Sequence, residues 1–265
     1  MKKYFSLALA GVLALAGCGS TTEPSTTVET SKPEVAEKVD EAVAATEGTY
    51  KLGIGASEFN ETSPFKDEDH LGKLSLSTTV ATVAVDENDI IQYVNLDAYK
   101  VDNKFDGEGK LNEDVAETTD LKSKKDLGDD YGMKAASSIE KEWYEQAEGY
   151  EKFAIGKNIN DLMSGSLNED EDLKTSCTID VNGFQYAIAN AYESAVEYNG
   201  TLDSLEVVAE PTYSATSATA DTDGSMGLFV AYRVLNNGED ITAGTNDAFV
   251  KFTNNGTIVE EAEAE

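Results

Sequence analysis

The sequence predicts an α+β fold, in which an antiparallel sheet is packed by two amphipathic helices and extended by additional C-terminal strands. Three observations carry that prediction. Runs of period two, rich in Thr, Val and Ile, occupy residues 49–57, 72–98 and 205–258. Two helical stripes of apolar residues lie between the second and third of these runs. Short Asn, Asp and Gly segments suited to hairpin turns punctuate the strands. With 265 residues the chain is long enough for one domain or two small ones. Its 51 acidic residues against 20 Lys and Arg give a formal charge of −31. Such a surface repels phosphate backbones and anionic headgroups, which excludes nucleic acid as a partner and a polybasic membrane anchor.

Residues 1–17 read as a secretory signal, with Lys2 and Lys3 ahead of an apolar stretch from Tyr4 to Ala16 that is too short to span a bilayer. Residues 18–47 are rich in Thr, Ser, Glu and Ala and carry Pro24 and Pro33, so they bury too little apolar surface to fold and read as a tether. Folded structure is expected to begin near Gly48. The runs LSLSTTVATVAV and IIQYVNLDAY are paired strands, with Asp86 to Asp89 as their turn, and residues 99–136 are a polar excursion broken by glycines. Ser137 is read as the N-cap of the first helix with Glu140 three residues on, followed by a stripe of Ile139, Trp143, Ala147, Tyr150 and Ala154 that ends at Gly156. A short helix is placed at Ile159 to Met163 and a strand at Leu173 to Ile179. The second helix carries Phe184, Ala187, Ile188, Ala191 and Ala195, with Gly200 just beyond it.

Residues 201–259 return to strands, read as a C-terminal extension of the domain at 48–200 that completes the same sheet or stands apart. Residues 260–265 form an acidic tail. Thr49-Tyr50 and Asp97 to Val101 echo Thr212-Tyr213 and Asp247 to Lys251, a weak internal repeat.

Chemistry-bearing residues are sparse. His70 is the one histidine and sits in an acidic loop, and the cysteines are Cys18 and Cys177. A Ser-His-Asp hydrolase, a Cys/His zinc site and a disulfide scaffold therefore lack parts, so no catalytic or metal residue is assigned. Cys177 is expected to be buried. Trp143, Tyr144 and Tyr150 are of a kind that stacks on planar ligands, but the helical spacing of Trp143 and Tyr150 makes them core. The basic run Lys122 to Lys125 is read as balancing nearby acids, and Asp221 to Ser225, which opens like a calcium loop but lacks the distal glutamate, as a turn.

Two resemblances follow from these residues. Leu15-Ala16-Gly17-Cys18 resembles the lipobox of bacterial lipoproteins, which implies acylation of Cys18, palmitate included, and a place on the extracytoplasmic face of a bacterial membrane. The segment Asp172-Leu173-Lys174-Thr175-Ser176-Cys177-Thr178, directly ahead of the second helix, resembles the signature of the FMN-binding domain family: Asp, two residues, Ser or Thr, Gly, Ala, Thr. Asp172, Thr175 and Thr178 match. Ser176 and Cys177 stand where the family has Gly and Ala, and a positive φ at Ser176 would be costly. The resemblance covers residues 48–198 loosely. It implies FMN as cofactor, Thr178 as the acceptor of its phosphate, and electron transfer to a redox partner protein, in a carrier more than a stand-alone enzyme. The alternative is a flavin-free surface lipoprotein that binds a small molecule or a protein partner on the same scaffold. A helix beginning after Thr178 would offer N–H groups to an anion, and Lys174 would add a charge.

Overall fold

The computed structural model describes residues 47–259, so the segment read as a signal sequence, Cys18, the expected tether up to residue 46 and the acidic residues 260–265 lie outside the described residues. The chain is an α+β protein built on two antiparallel sheets. The first has the strand order β3-β2-β1-β5, from β1 (Gly48–Ser63), β2 (Gly72–Val85), β3 (Ile91–Phe105) and β5 (Val196–Gly200). The second has the order β4-β6-β7-β8-β9, from β4 (Val115–Thr118), β6 (Leu205–Thr216), β7 (Gly224–Asn236), β8 (Glu239–Phe252) and β9 (Ile258–Val259). Between β4 and β5 come α1 (Lys124–Leu127), α2 (Trp143–Ala154), α3 (Ile159–Met163), α4 (Glu171–Lys174) and α5 (Asn182–Glu193).

The C-terminal strands thus form a second sheet instead of completing the first. One core joins the two sheets, with Leu52, Ile54, Leu74, Leu76 and Val101 facing Met226, Leu228, Val230, Val234 and Phe252. The other face of the first sheet is covered by the helices. Ala81, Val83, Val94 and Leu96 pack there against Trp143, Ala147, Tyr150, Phe184, Ile188 and Ala191. Burial on both faces explains why β2 reads as a near-continuous apolar run, with every residue from Val80 to Val85 buried. On β1, Gly53 and Gly55 let α5 lie directly on the strand. A Cβ at Gly53 would stand 1.8 Å from the Ala191 carbonyl oxygen, and one at Gly55 2.3 Å from the Ala191 nitrogen.

The two meanders β1-β2-β3 and β6-β7-β8 share a plan. Phe105 covers Gly72 across β3 and β2, Phe252 covers Gly224 across β8 and β7, and the two rings stack at 4.6 Å. After each phenylalanine the chain makes the same five-residue turn, closed from Asp106 to Lys110 and from Thr253 to Thr257, with Gly109 and Gly256 at φ +71 and +77. The hairpin loops then exchange hydrogen bonds: the Phe65 N–H donates to Gly256 O at 3.0 Å, and the Ala218 N–H to Gly109 O at 2.8 Å. Anchored on these turns, the equivalent residues differ from the pairs suggested by sequence: Asp97 corresponds to position 244, not to Asp247.

Several local expectations are corrected. The first helix starts at Trp143, not at Ser137, because Glu142 and Glu145 form the capping box. The Ser137 hydroxyl is instead taken by the N–H groups of Ile139 and Lys141 and by the Gln146 amide. The strand expected at Leu173 to Ile179 is the helical turn α4 and a following loop. Asp170 caps it through the N–H groups of Asp172 and Leu173, and Leu173 and Cys177, four apart, share its buried side. Gly200 ends β5, a strand the sequence reading missed, and the polar excursion contributes β4 to the second sheet.

Candidate functional site

The Asp172 to Thr178 segment folds as a turn in which two hydroxyls bond the segment's own backbone and the other paired side chains bond outside it. Asp172 is exposed in the first turn of α4. The Thr175 and Ser176 hydroxyls donate to the carbonyls of Asp172 and Leu173. Ser176 is not among the residues of positive φ, so a serine there carries no left-handed backbone cost. Gly149 of α2 makes room for it, since a Cβ there would lie 2.9 Å from Ser176 Cβ. Lys174 is held by Glu169 at 2.6 Å and Glu171 at 3.6 Å, which commits its charge to these acids. Cys177 is buried, and burial pushes its thiol up to about 11, so it stays protonated and unreactive in the fold.

Thr178 itself is exposed, and its backbone is pinned from below. Its N–H donates to Gln146 Oε1 at 2.8 Å and its hydroxyl reaches the same oxygen at 3.2 Å. Gln146 is fully buried on α2, and its amide nitrogen donates to Ser137 Oγ and Lys141 O. A buried amide satisfied at both ends fixes the loop on the helix.

Directly beyond Thr178 the chain enters a cleft of about 480 Å³, within the range of small-molecule sites. Ile179, Asp180, Asn182, Gly183, Phe184 and Tyr186 form one wall; Glu58, Phe59, Ser77 and Thr79 from β1 and β2 form another; Lys124, Tyr131, Met133 and Trp143 close it. Phe59 and Tyr186 are 68% and 66% exposed, whereas Trp143 is 4% exposed and meets Phe184 edge-on at 5.7 Å. Trp143 is therefore core, as its spacing suggested, and also lines the cleft. Tyr150 is core alone, and Tyr144 bonds Asp129 on the surface.

Lys124, read from sequence as balancing acids, lies 5.2 Å from both the Tyr131 and Trp143 ring centroids. It makes no hydrogen bond or ion pair with any described residue. Burial, then Lys100, pulls its ammonium down to about 8. Its neighbour Lys125 does balance an acid, Glu151, at 2.8 Å. Glu58 of the cleft is raised from its ordinary value, first by burial and then by Asp247.

The remaining candidates are structural. His70 is exposed and bonds Asp67 at 2.7 Å. Residues 219–222 close a threonine-bonded turn ahead of β7, and no group of metal ligands occurs among the described residues. No described helix is long and apolar enough to cross a membrane. Two other clefts are more open to solvent, one beside Tyr213 and Asn103 and one beside Lys51 and Glu197. No family model matches the chain, and neither a curated protein nor a solved structure matches it.

Proposed function

We propose that this chain is a lipid-anchored extracytoplasmic module that holds a flavin, FMN by its signature, and passes electrons to a redox partner protein. The observation that carries the reading is positional. The walls of the aromatic cleft begin at Ile179, the residue after Thr178, so an FMN phosphate on the Thr178 hydroxyl would leave the ring within reach of Phe59, Trp143 and Tyr186. FMN would supply the redox chemistry; the protein contributes the position of Thr178, set by Gln146, and the aromatic walls. Acylation of Cys18 would hold the module at the membrane, with residues 18–47 as its reach.

A second reading, reversible binding of a planar small molecule without a phosphate, is favoured by a specific observation. The one lysine of the signature is committed to Glu169 and Glu171, and Asp180 stands two residues from Thr178, so a phosphate there meets acid and not base.

A visible absorption spectrum separates the two. Residues 19–265 are made in cells that supply FMN and a flavin transferase, and are then desalted under denaturing conditions. Flavin absorbance that survives and is absent from Thr178→Ala supports the covalent carrier. Absorbance lost on denaturation means that FMN is held without a bond to Thr178, which keeps a flavin carrier but contradicts covalent attachment. A colourless protein under both conditions contradicts a flavin function.

A further inference from the structure

We infer that the cleft takes planar aromatic anions, and that Lys124 is the counter-ion that selects them. This rests on the cleft being a ligand site, as proposed above, but not on the ligand being FMN. The ammonium of Lys124 is half-buried and faces two π systems at 5.2 Å, Tyr131 and Trp143. Such faces attract a cation without neutralising it. In a chain with 51 acidic residues, no described carboxylate comes within ion-pair distance of this nitrogen. Nor does any described residue accept from the indole N–H of Trp143, a second donor in the same cleft.

The charges around Lys124 are accounted for on each element. On β3, Lys100 opposes its charge while Asp102 and Asp97 favour it, and burial outweighs both. In the cleft, Glu58 comes from β1 and Asp180 from the segment ahead of α5, and both are exposed. The cation is thus the more buried charge and the acids are the more accessible ones. A ligand whose single negative charge sits on or beside its ring satisfies Lys124 and keeps that charge from Glu58 and Asp180. Aromatic carboxylates and ring-deprotonated heterocycles belong to this class.

The test uses residues 19–265 with two three-ring fluorescent probes of nearly equal shape, anthracene-2-carboxylate and anthracene-2-carboxamide, each titrated by anisotropy. A charge-assisted contact of the usual strength makes the carboxylate bind about tenfold tighter or more at pH 7. Lys124→Met is expected to bring the carboxylate down to the amide's affinity while leaving the amide within about twofold, since a methionine fills similar volume. Lys124→Arg is expected to retain the preference, and its folding, checked by circular dichroism, guards against a collapsed variant. Raising the pH to 9.5 is expected to shrink the wild-type preference as the ammonium deprotonates. Equal affinity for both probes in the wild type, or a preference that survives Lys124→Met, overturns the role of Lys124 while leaving a ligand site. Binding of neither probe overturns the cleft as a ligand site and the inference with it.

Discussion

Gln146 does the most with one side chain. Its oxygen holds the Thr178 N–H, its nitrogen holds Ser137 and Lys141, and it is fully buried on α2. Gln146→Leu keeps most of the volume and removes every one of these bonds, leaving the Thr178 N–H without its acceptor. It is expected to cost about 2 kcal/mol, read from the urea midpoint; a loss under a few tenths would mean the loop does not depend on it. Cys177 offers a second check in the 19–265 chain, where it is the sole thiol. With its thiol near 11, the thiolate at pH 8 is on the order of one part in a thousand. A disulfide reagent should therefore modify it only at the rate of unfolding, and fast labelling of the native protein would contradict its burial. At this scale the sequence was half legible. Burial of Cys177 follows from residue type. The partners of Gln146 and the aromatic cage of Lys124 do not, because Thr178 lies 32 residues from Gln146 and Trp143 lies beyond two turns that have no periodicity to read.

At the scale of elements, α5 lies on β1 because Gly53 and Gly55 leave no side chains in the way. Gly55→Ala places a Cβ 2.3 Å from backbone and is expected to destabilise by about 3 kcal/mol or more through overpacking. Gly183→Ala makes an informative contrast. It is the second residue of α5 with its nearest neighbours at 3.8 Å, so a Cβ meets no crowding and the gain in helix propensity, up to about 1 kcal/mol, should leave the variant at least as stable. Thermal melts of the two variants moving in the same direction would contradict this packing. The strands and the stripe of α5 were legible because period two and period 3.6 are strong local signals. Helix starts were less so. Ser137 with Glu140 fits a capping box as well as Glu142 with Glu145 does, and the choice rests on contacts from Met133 and Lys134 to the Glu142 carboxylate. The turn α4 was misread as a strand because threonines at 175 and 178 mask the four-residue spacing of Leu173 and Cys177.

At the scale of the molecule, two matching meanders stack across Phe105 and Phe252, and among the described residues only the first has helices over its outer face and hence the cleft. The sequence hinted at the repeat but in the wrong register, because the equivalence is carried by turns and cross-strand Gly–Phe pairs and not by the residues that look alike. The charge of −31 also acts on the whole. Asp97, Glu151 and Glu58 are all raised above their ordinary 3.8 to 4.5, first by burial. A folded state that binds protons more tightly than the unfolded one gains stability as pH falls through those raised values, and loses it as pH rises through them. Asp89, Asp102 and Glu169 are lowered, so their contribution is lost only below the ordinary range and is intact at pH 5. The urea midpoint is therefore expected to be higher at pH 5 than at pH 7, below the range in which Lys124 titrates, and a fall would contradict these raised carboxylates. The cleft beside Thr178 is the centre of the account, and Trp143, the single tryptophan, lines it. The most direct measurement is Trp143 emission of residues 19–265 titrated with FMN. The account predicts saturable quenching at one FMN per chain, weakened by Phe59→Ala; emission that shows no saturable change up to millimolar FMN would contradict it.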